Sequence, residues 1–221
     1  MQIKRIAILF SGNGSNLEAL IKALHNKCFC AKKNIGLQER EFLISGISND
    51  FIECEVSMND SFKIEVALAL SNKKDAYGLV RAKNLGIKTQ ILESSAFKNR
   101  VEFDRELVEI LKPLGLDLCV LAGFMRILTP VFTNTIKAIN IHPSILPLFK
   151  GAHGIVESYR SEMKLGGVSV HYVSDELDSG EIIAQGVLAK MEGESLGSYE
   201  DRVHKLEHYL YPLAVLEVLR D

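Results

Sequence analysis

Asn140 and His142 are two residues apart in the run Ala138–His142, and Pro143 follows them. Side chains alternate along an extended strand, so the two would point to the same side. Pro143 disfavours helix at the residue before it and keeps His142 extended. An amide N–H beside an imidazole suits an oxyanion growing on a carbonyl. The competing reading is that Asn140 caps a turn and His142 packs. A second group is Ser174–Gly180 (SDELDSG). Its carboxylates Asp175, Glu176 and Asp178 fit a solvated turn, or a turn from which one reaches His142 and keeps the ring protonated by opposite charge. A third is Ser11–Asn16 (SGNGSN). Its glycines let backbone approach a ligand, and a helix starting there offers unpaired N–H groups to an anion. The Gly-x-Gly-x-x-Asn spacing lacks the third glycine of a dinucleotide fingerprint, and no Gly-Lys-Ser/Thr follows. A plain phosphate-binding turn is the functional reading, a tight turn that binds nothing the alternative. A fourth is Gly123–Leu128 (GFMRIL), an apolar stretch broken by Arg126. It suits a flat aromatic ligand with a polar edge, or the start of a core helix with one exposed arginine.

The elements that would position these residues alternate. Apolar runs at Lys4–Phe10, Lys63–Leu70, Ile87–Leu92, Leu116–Ala122 and Ala138–His142 read as strands. Between them, helical spacing covers Leu17–Leu24, Asp75–Asn84, Arg100–Leu111 and a short piece at Pro130–Ile136. Strand–helix alternation implies right-handed crossovers and a parallel sheet with helices on both faces. Asn140 and His142 then lie at the carboxyl end of a strand, where such sheets bind ligands. Beyond them, Val168–Val173 and Ile182–Met191 read as added strands, and Ser198 to about Leu219 as a long helix. Ser198 with Asp201 resembles a capping box, and Pro212 should kink the helix or end its first part. The fold class is therefore α/β, a doubly wound, mostly parallel sheet with antiparallel additions, in a single domain over 1–221. Residues 27–61 are too long for a crossover loop and read as an insertion. Within it, the two β-like runs of FLISGISNDFIECEVS suggest a hairpin about Ser48-Asn49-Asp50.

The 221 residues are 47% hydrophobic and 24% charged, enough apolar material for a core, which excludes a disordered or fibrous chain. With 26 basic against 28 acidic residues, no basic excess points to nucleic acid. No apolar run approaches a membrane span, and the basic-then-apolar N-terminus lacks a leader's long apolar core. Cys28, Cys30, Cys54 and Cys119 lack the Cys-x2-Cys zinc spacing and read as free thiols of a cytoplasmic chain, with Cys119 in the core. The histidines, His25, His153, His171, His204 and His208 besides His142, are not read as a metal set.

Taken together, AGFMRIL (122–128), NIHPSILP (140–147), HYVSDELDSG (171–180) and SGNGSN (11–16) resemble the glycinamide ribonucleotide formyltransferase family over nearly the whole chain outside the insertion. Segments like NIHPSILP and DELD also mark methionyl-tRNA formyltransferase and formyltetrahydrofolate hydrolase. SGNGSN and KLEHYLYP (205–212) look like the ribonucleotide enzyme. The resemblance implies a Rossmann-like formyltransferase fold. It also implies transfer of the formyl group of 10-formyltetrahydrofolate to the amino group of glycinamide ribonucleotide, in purine biosynthesis, without a metal. Release of formate by a hydrolase is the alternative. The implied catalytic residues are Asn140, His142 and Asp178. The ribonucleotide would contact Gly14, Ser15, Asn16, Arg100 (paired with its phosphate) and Glu207 (at its ribose). The folate would contact Met125, Arg126, Ile127, Leu128, Asn140, Val173, Asp175 and Asp178. Expected partners are these small molecules alone, for a cytoplasmic monomer or homodimer. The chain is expected to end too early for the further C-terminal domain of the transfer-RNA enzyme, and to leave no room for the hydrolase's extra N-terminal domain.

The chain departs from the family pattern at two places bordering the substrates. The usual LPKYPGLH-like loop reads LPLFKGAH at 146–153, with Lys150 where a second proline is usual. The DELD turn ends Ser179-Gly180 rather than Gly-Gly, which would change the turn if the first glycine supplied a positive φ.

Overall fold

A computed structural model of the chain describes residues 2–33, 42–54 and 61–220. The central strand is β1 (Gln2–Phe10), flanked in parallel by β5 (Ser61–Ser71) and β7 (Leu118–Leu121). Neighbours on both sides and helices on both faces explain why its second half reads as a continuous apolar run. Ile6, Ile8 and Phe10 point to one core, with α1 (Ser15–Leu24), α2 (Gly78–Asn84) and α6 (Leu196–Arg220). Ala7 and Leu9 point to the other, with Phe103, Leu107 and Leu111 of α3 (Arg100–Leu111). This period-2 division makes the sheet doubly wound, as expected.

β8 (Ala138–His142) pairs in parallel with β7. β9 (Leu165–Tyr172) and β10 (Ile182–Ala189) then extend that side antiparallel. On the other side β5 holds two partners along one edge: β2 (Cys28–Lys33) antiparallel at its start and the short β6 (Thr89–Ile91) parallel at its end. The short helices α4 (Pro130–Thr133) and α5 (Gly154–Arg160) precede β8 and β9.

The insertion departs from expectation. Its two β-like runs, β3 (Leu43–Ser45) and β4 (Asn49–Glu53), do not pair with each other. β3 joins the free edge of β10 and β4 joins β2, giving the order β3-β10-β9-β8-β7-β1-β5-β2-β4. Each run finds an open sheet edge, and side chains on α6 hold the connection between them. The Phe42 ring lies 5.5 Å from that of Tyr209, and the Ser48 hydroxyl bonds Glu217. The far end of the expected hairpin, Glu55–Ser57, lies outside the described residues.

The β2–β4 pairing also overturns the expectation of four thiols. It places Cys30 opposite Ile52 and brings Cys54 within 6.2 Å (Cα–Cα) of Cys30, and the two form a disulfide. Cys119 is buried in the core, as expected, and burial pushes its thiol far up.

α6 differs from expectation at both marked positions. Its N-terminus is capped by Ser195, whose hydroxyl accepts from the N–H of Ser198 at 3.2 Å, so Ser198 is capped rather than capping. The helix also runs unbroken through Pro212. Proline removes a backbone hydrogen bond there. Against that loss, Leu210, Tyr211, Ala214 and Val215 around it are fully buried, and the Tyr211 hydroxyl donates to Leu121 O (2.8 Å) and Ile139 O (3.2 Å). Packing on both sides of the proline keeps the helix in register.

Candidate active site

The carboxyl ends of β1, β7 and β8 open into one cavity of about 910 Å³. Ser11–Asn16, Leu121–Leu128, Asn140–Pro143, Gly151–His153, Val173, Ser174, Glu176–Asp178 and Glu207 line it. The four sequence stretches singled out for their chemistry thus converge.

The turn after β1 is held by its neighbours. Ser11 donates to Asn72 Oδ1 (2.6 Å) and accepts from the N–H of Met125 (2.9 Å), tying the turn to the Gly123–Leu128 stretch. Gly78 N donates to Gly12 O at 3.1 Å. Arg81 donates to Asn13 O (3.0 Å) and Asn13 Oδ1 (3.1 Å), pairs with Glu18 and lies over the Tyr77 ring. Gly14 has φ 79°, and a Cβ on it would stand 2.6 Å from Gly78 Cα, so no other residue fits. Lys73, which had not been singled out, brings an amine to the wall beside this turn.

At the end of β8, His142 is almost fully buried and Asn140 partly so. His142 Nε2 is 2.8 Å from Phe149 O, and Nδ1 is 3.4 Å from Asp178 Oδ2. Asp178 Oδ2 also accepts from the N–H of Gly151 at 2.8 Å. Burial is the largest influence on the Asp178 carboxyl and pushes it up. The imidazole of His171, the Gly151 N–H and the imidazole of His142 together outweigh burial and hold it below the usual carboxylate range. Asn140 Nδ2 is 3.2 Å from His171 Nε2, and that nitrogen is 3.6 Å from Asp178 Oδ1. His171 therefore belongs to the cluster. Its position opposite Asn140 in the antiparallel β8–β9 ladder was the available signal, and it could be read only once that pairing was known.

Two of the three non-glycine residues with positive φ among the described residues are here, Phe149 (55°) and Asp178 (46°). Such conformations cost about 1–3 kcal/mol and gather at functional sites. Here they aim the Phe149 carbonyl and the Asp178 carboxylate at His142. Ser179 is not among the positive-φ residues, so replacing the family's glycine there does not disturb the turn. It is Gly180 whose Cβ would collide with Tyr172 O, at 1.7 Å.

Further along the wall, Arg126 lies over the Phe103 ring at 4.1 Å, and burial lowers its pKa. Arg126 Nε and Asn16 Oδ1 are buried without a hydrogen-bond partner. Glu207 is buried on α6, and its Oε2 is 2.7 Å from His204 Nδ1. That bond is the main cause that raises the His204 pKa. His204 and His208 are four residues apart, a ligand-like spacing the sequence reading passed over. Among the described residues no three His, Cys, Asp or Glu side chains converge as a metal group.

The formyl transferase family model matches residues 41–215. The chain belongs to that family. It is 37% identical to phosphoribosylglycinamide formyltransferase of Escherichia coli, over 95% of this chain and 84% of that protein. It is 32% identical to the human trifunctional purine biosynthetic protein adenosine-3, over 96% of this chain and 18% of that longer protein. A crystal structure of phosphoribosylglycinamide formyltransferase from Campylobacter jejuni superposes with a TM-score of 0.80 at 48% identity, covering 98% of both chains.

Most residues that the family resemblance implied do line the cavity: Asn140, His142, Asp178, Gly14, Ser15, Asn16, Glu207, Met125–Leu128 and Val173. Two do not. Asp175 is exposed off the wall, where Ser174, Glu176 and Leu177 take its place. Arg100 opens α3 exposed and off the wall, and its charge acts on Arg126 rather than at the Ser11–Asn16 turn. The two departures from the formyl transferase pattern meet: Lys150 Nζ donates to Ser179 Oγ at 2.6 Å. This bond and the Gly151–Asp178 bond join the 146–153 loop to the DELD turn.

Proposed function

We propose that this chain transfers the formyl group of 10-formyltetrahydrofolate to the amino group of glycinamide ribonucleotide, yielding formylglycinamide ribonucleotide and tetrahydrofolate in purine biosynthesis. The observation that carries this is the Asn140–His142–Asp178 cluster in the same cavity as the Ser11–Asn16 turn. A hydrolase would need the cluster but no site for a ribonucleotide.

The phosphate rests on the backbone N–H groups of Gly14, Ser15 and Asn16 at the start of α1. Lys73, on the wall of the same cavity, supplies a cation to it, and Arg100 is not on that wall. Glu207 accepts from the ribose hydroxyls. The folate ring lies along Met125–Leu128, with its edge toward Val173 and the DELD turn.

In this pose the amine attacks the formyl carbon. A C–N bond forms, the carbonyl becomes an oxyanion, and the Asn140 amide and the His142 ring donate to it. His142 Nε2 faces Phe149 O, so the oxyanion competes with that carbonyl for the ring's proton. Asp178 faces the other ring nitrogen at 3.4 Å. The attacking nitrogen loses a proton, the folate N10 gains one as its C–N bond breaks, and Asp178 is the nearest carboxylate to relay it. A cytoplasmic monomer or homodimer belongs to the same proposal.

The test is a spectrophotometric assay with 10-formylated folate, with and without glycinamide ribonucleotide. Deformylation that depends on the ribonucleotide and yields its formylated product is expected. Equal deformylation without it, releasing formate, would establish the hydrolase instead.

A further inference from the structure

Asp178 is flanked by two buried imidazoles, and their surroundings differ. His142 lies between two acceptors, Phe149 O at 2.8 Å from Nε2 and Asp178 Oδ2 at 3.4 Å from Nδ1. His171 Nδ1 is 2.9 Å from Tyr172 O. Its Nε2 faces the Asn140 amide at 3.2 Å and Asp178 Oδ1 at 3.6 Å, and the ring helps to hold that carboxyl low.

The Asn140 amide thus has one end against a buried ring of β9, while Asn140 itself lines the cavity beside His142. An amide held in this way presents a fixed dipole where charge develops, and a free one must reorient at that moment.

We infer that His171 is a positioning residue: anchored through Nδ1 to Tyr172 O, it holds one end of the Asn140 amide through Nε2 and thereby fixes which way that amide meets the reacting carbonyl. Amide orientation is then set from β9, across the β8–β9 ladder, and not by the substrate. Gly180 keeps the Tyr172 carbonyl free for this, since a Cβ there would stand 1.7 Å from Tyr172 O. This inference rests on the formyl-transfer reading for its catalytic consequence.

The test is kinetic. His171→Phe keeps a ring but offers no hydrogen-bonding nitrogen, and should lower kcat about 10- to 100-fold with both KM values within about twofold. His171→Gln restores a hydrogen-bonding group and should recover most of that loss. In an Asn140→Ala background, His171→Phe should change kcat by less than about twofold, because the two residues act as a unit. A full loss in that background, or no rescue by glutamine, would show that the ring acts other than through Asn140. A wild-type protein inactive toward glycinamide ribonucleotide would sink the formyl-transfer reading, whereas an active one with unrescued or independent variants would sink this inference alone.

Discussion

His142 has both nitrogens engaged before any substrate arrives, and its carboxylate partner is engaged three ways. Asp178 takes the Gly151 N–H and faces two imidazoles. Such a group acts through its charge, so His142→Ala and Asp178→Asn should each lower kcat by about 10²–10³-fold with the KM for the ribonucleotide within a few-fold. Steady-state kinetics with both substrates varied checks this, and an unchanged kcat in either variant would remove that residue from the mechanism. The depressed Asp178 pKa has a stability consequence. The folded state holds the carboxylate more tightly than the unfolded chain does. Its contribution is present above the ordinary aspartate pKa and is lost as pH falls through the lower folded value. Asp178→Asn should therefore flatten the acid side of a stability–pH profile followed by denaturant unfolding. Asn140, His142 and Asp178 were legible in the sequence because strand period and the Asn-x-His-Pro spacing place them locally, and family resemblance picks one carboxylate of three. His171 was not. Its role comes from a cross-strand neighbour, and nothing along the sequence near His171 names Asn140.

At the level of elements, legibility follows how local the determinants are. α3 starts and ends where its apolar face predicts, at Arg100 and Leu111, because Asn99 caps it by accepting from the Glu102 N–H at 2.9 Å. β8 likewise keeps its expected bounds. The hairpin failed because pairing partners are chosen by open edges, and the β10 and β2 edges are distant in sequence. β2 went unseen as a strand because its short, polar-ended run looks like loop. α6 carries a pH-dependent element of its own. The His204 pKa is raised, first by its hydrogen bond with Glu207, against burial, and then by the charges of Glu207, Glu200 and Asp201. The folded protein therefore keeps a proton that the unfolded chain has released just above the ordinary histidine pKa. That stabilisation is complete below the unfolded value and fades as pH rises through the folded one. Thermal unfolding followed across that window should show a decline in the wild type that His204→Gln lacks, and an identical slope in both proteins would exclude the Glu207–His204 contact as its source.

Over the whole molecule, chemistry and reinforcement sit at opposite ends of the sheet. The Ser11–Asn16 turn and His142 lie at the carboxyl ends of parallel strands. The Cys30–Cys54 bridge lies at the other end, where β2 meets the first residues of β5 through pairs Cys28–Lys63 and Cys30–Ser61. The bridge closes a loop with a sequence separation of 24, within the insertion that the sequence marks as foreign to the crossover pattern without disclosing what it joins. Closing a loop of that length restricts the unfolded chain by about 3 kcal/mol. For a chain of this size each kcal/mol moves the unfolding temperature by roughly 2–4 °C, so reduction should lower it by roughly 6–12 °C. Cys30→Ser should do the same without reductant, and adding reductant to that variant should change nothing more. Formyl transfer below the transition should stay within about twofold in every case, since the bridge lies at the end of the sheet opposite the cavity. Calorimetry with and without dithiothreitol, beside the folate assay on the same samples, separates the two ends. A loss of transfer at temperatures where the reduced protein is still folded would mean that the insertion communicates with the site, and that the two ends of the sheet are not independent.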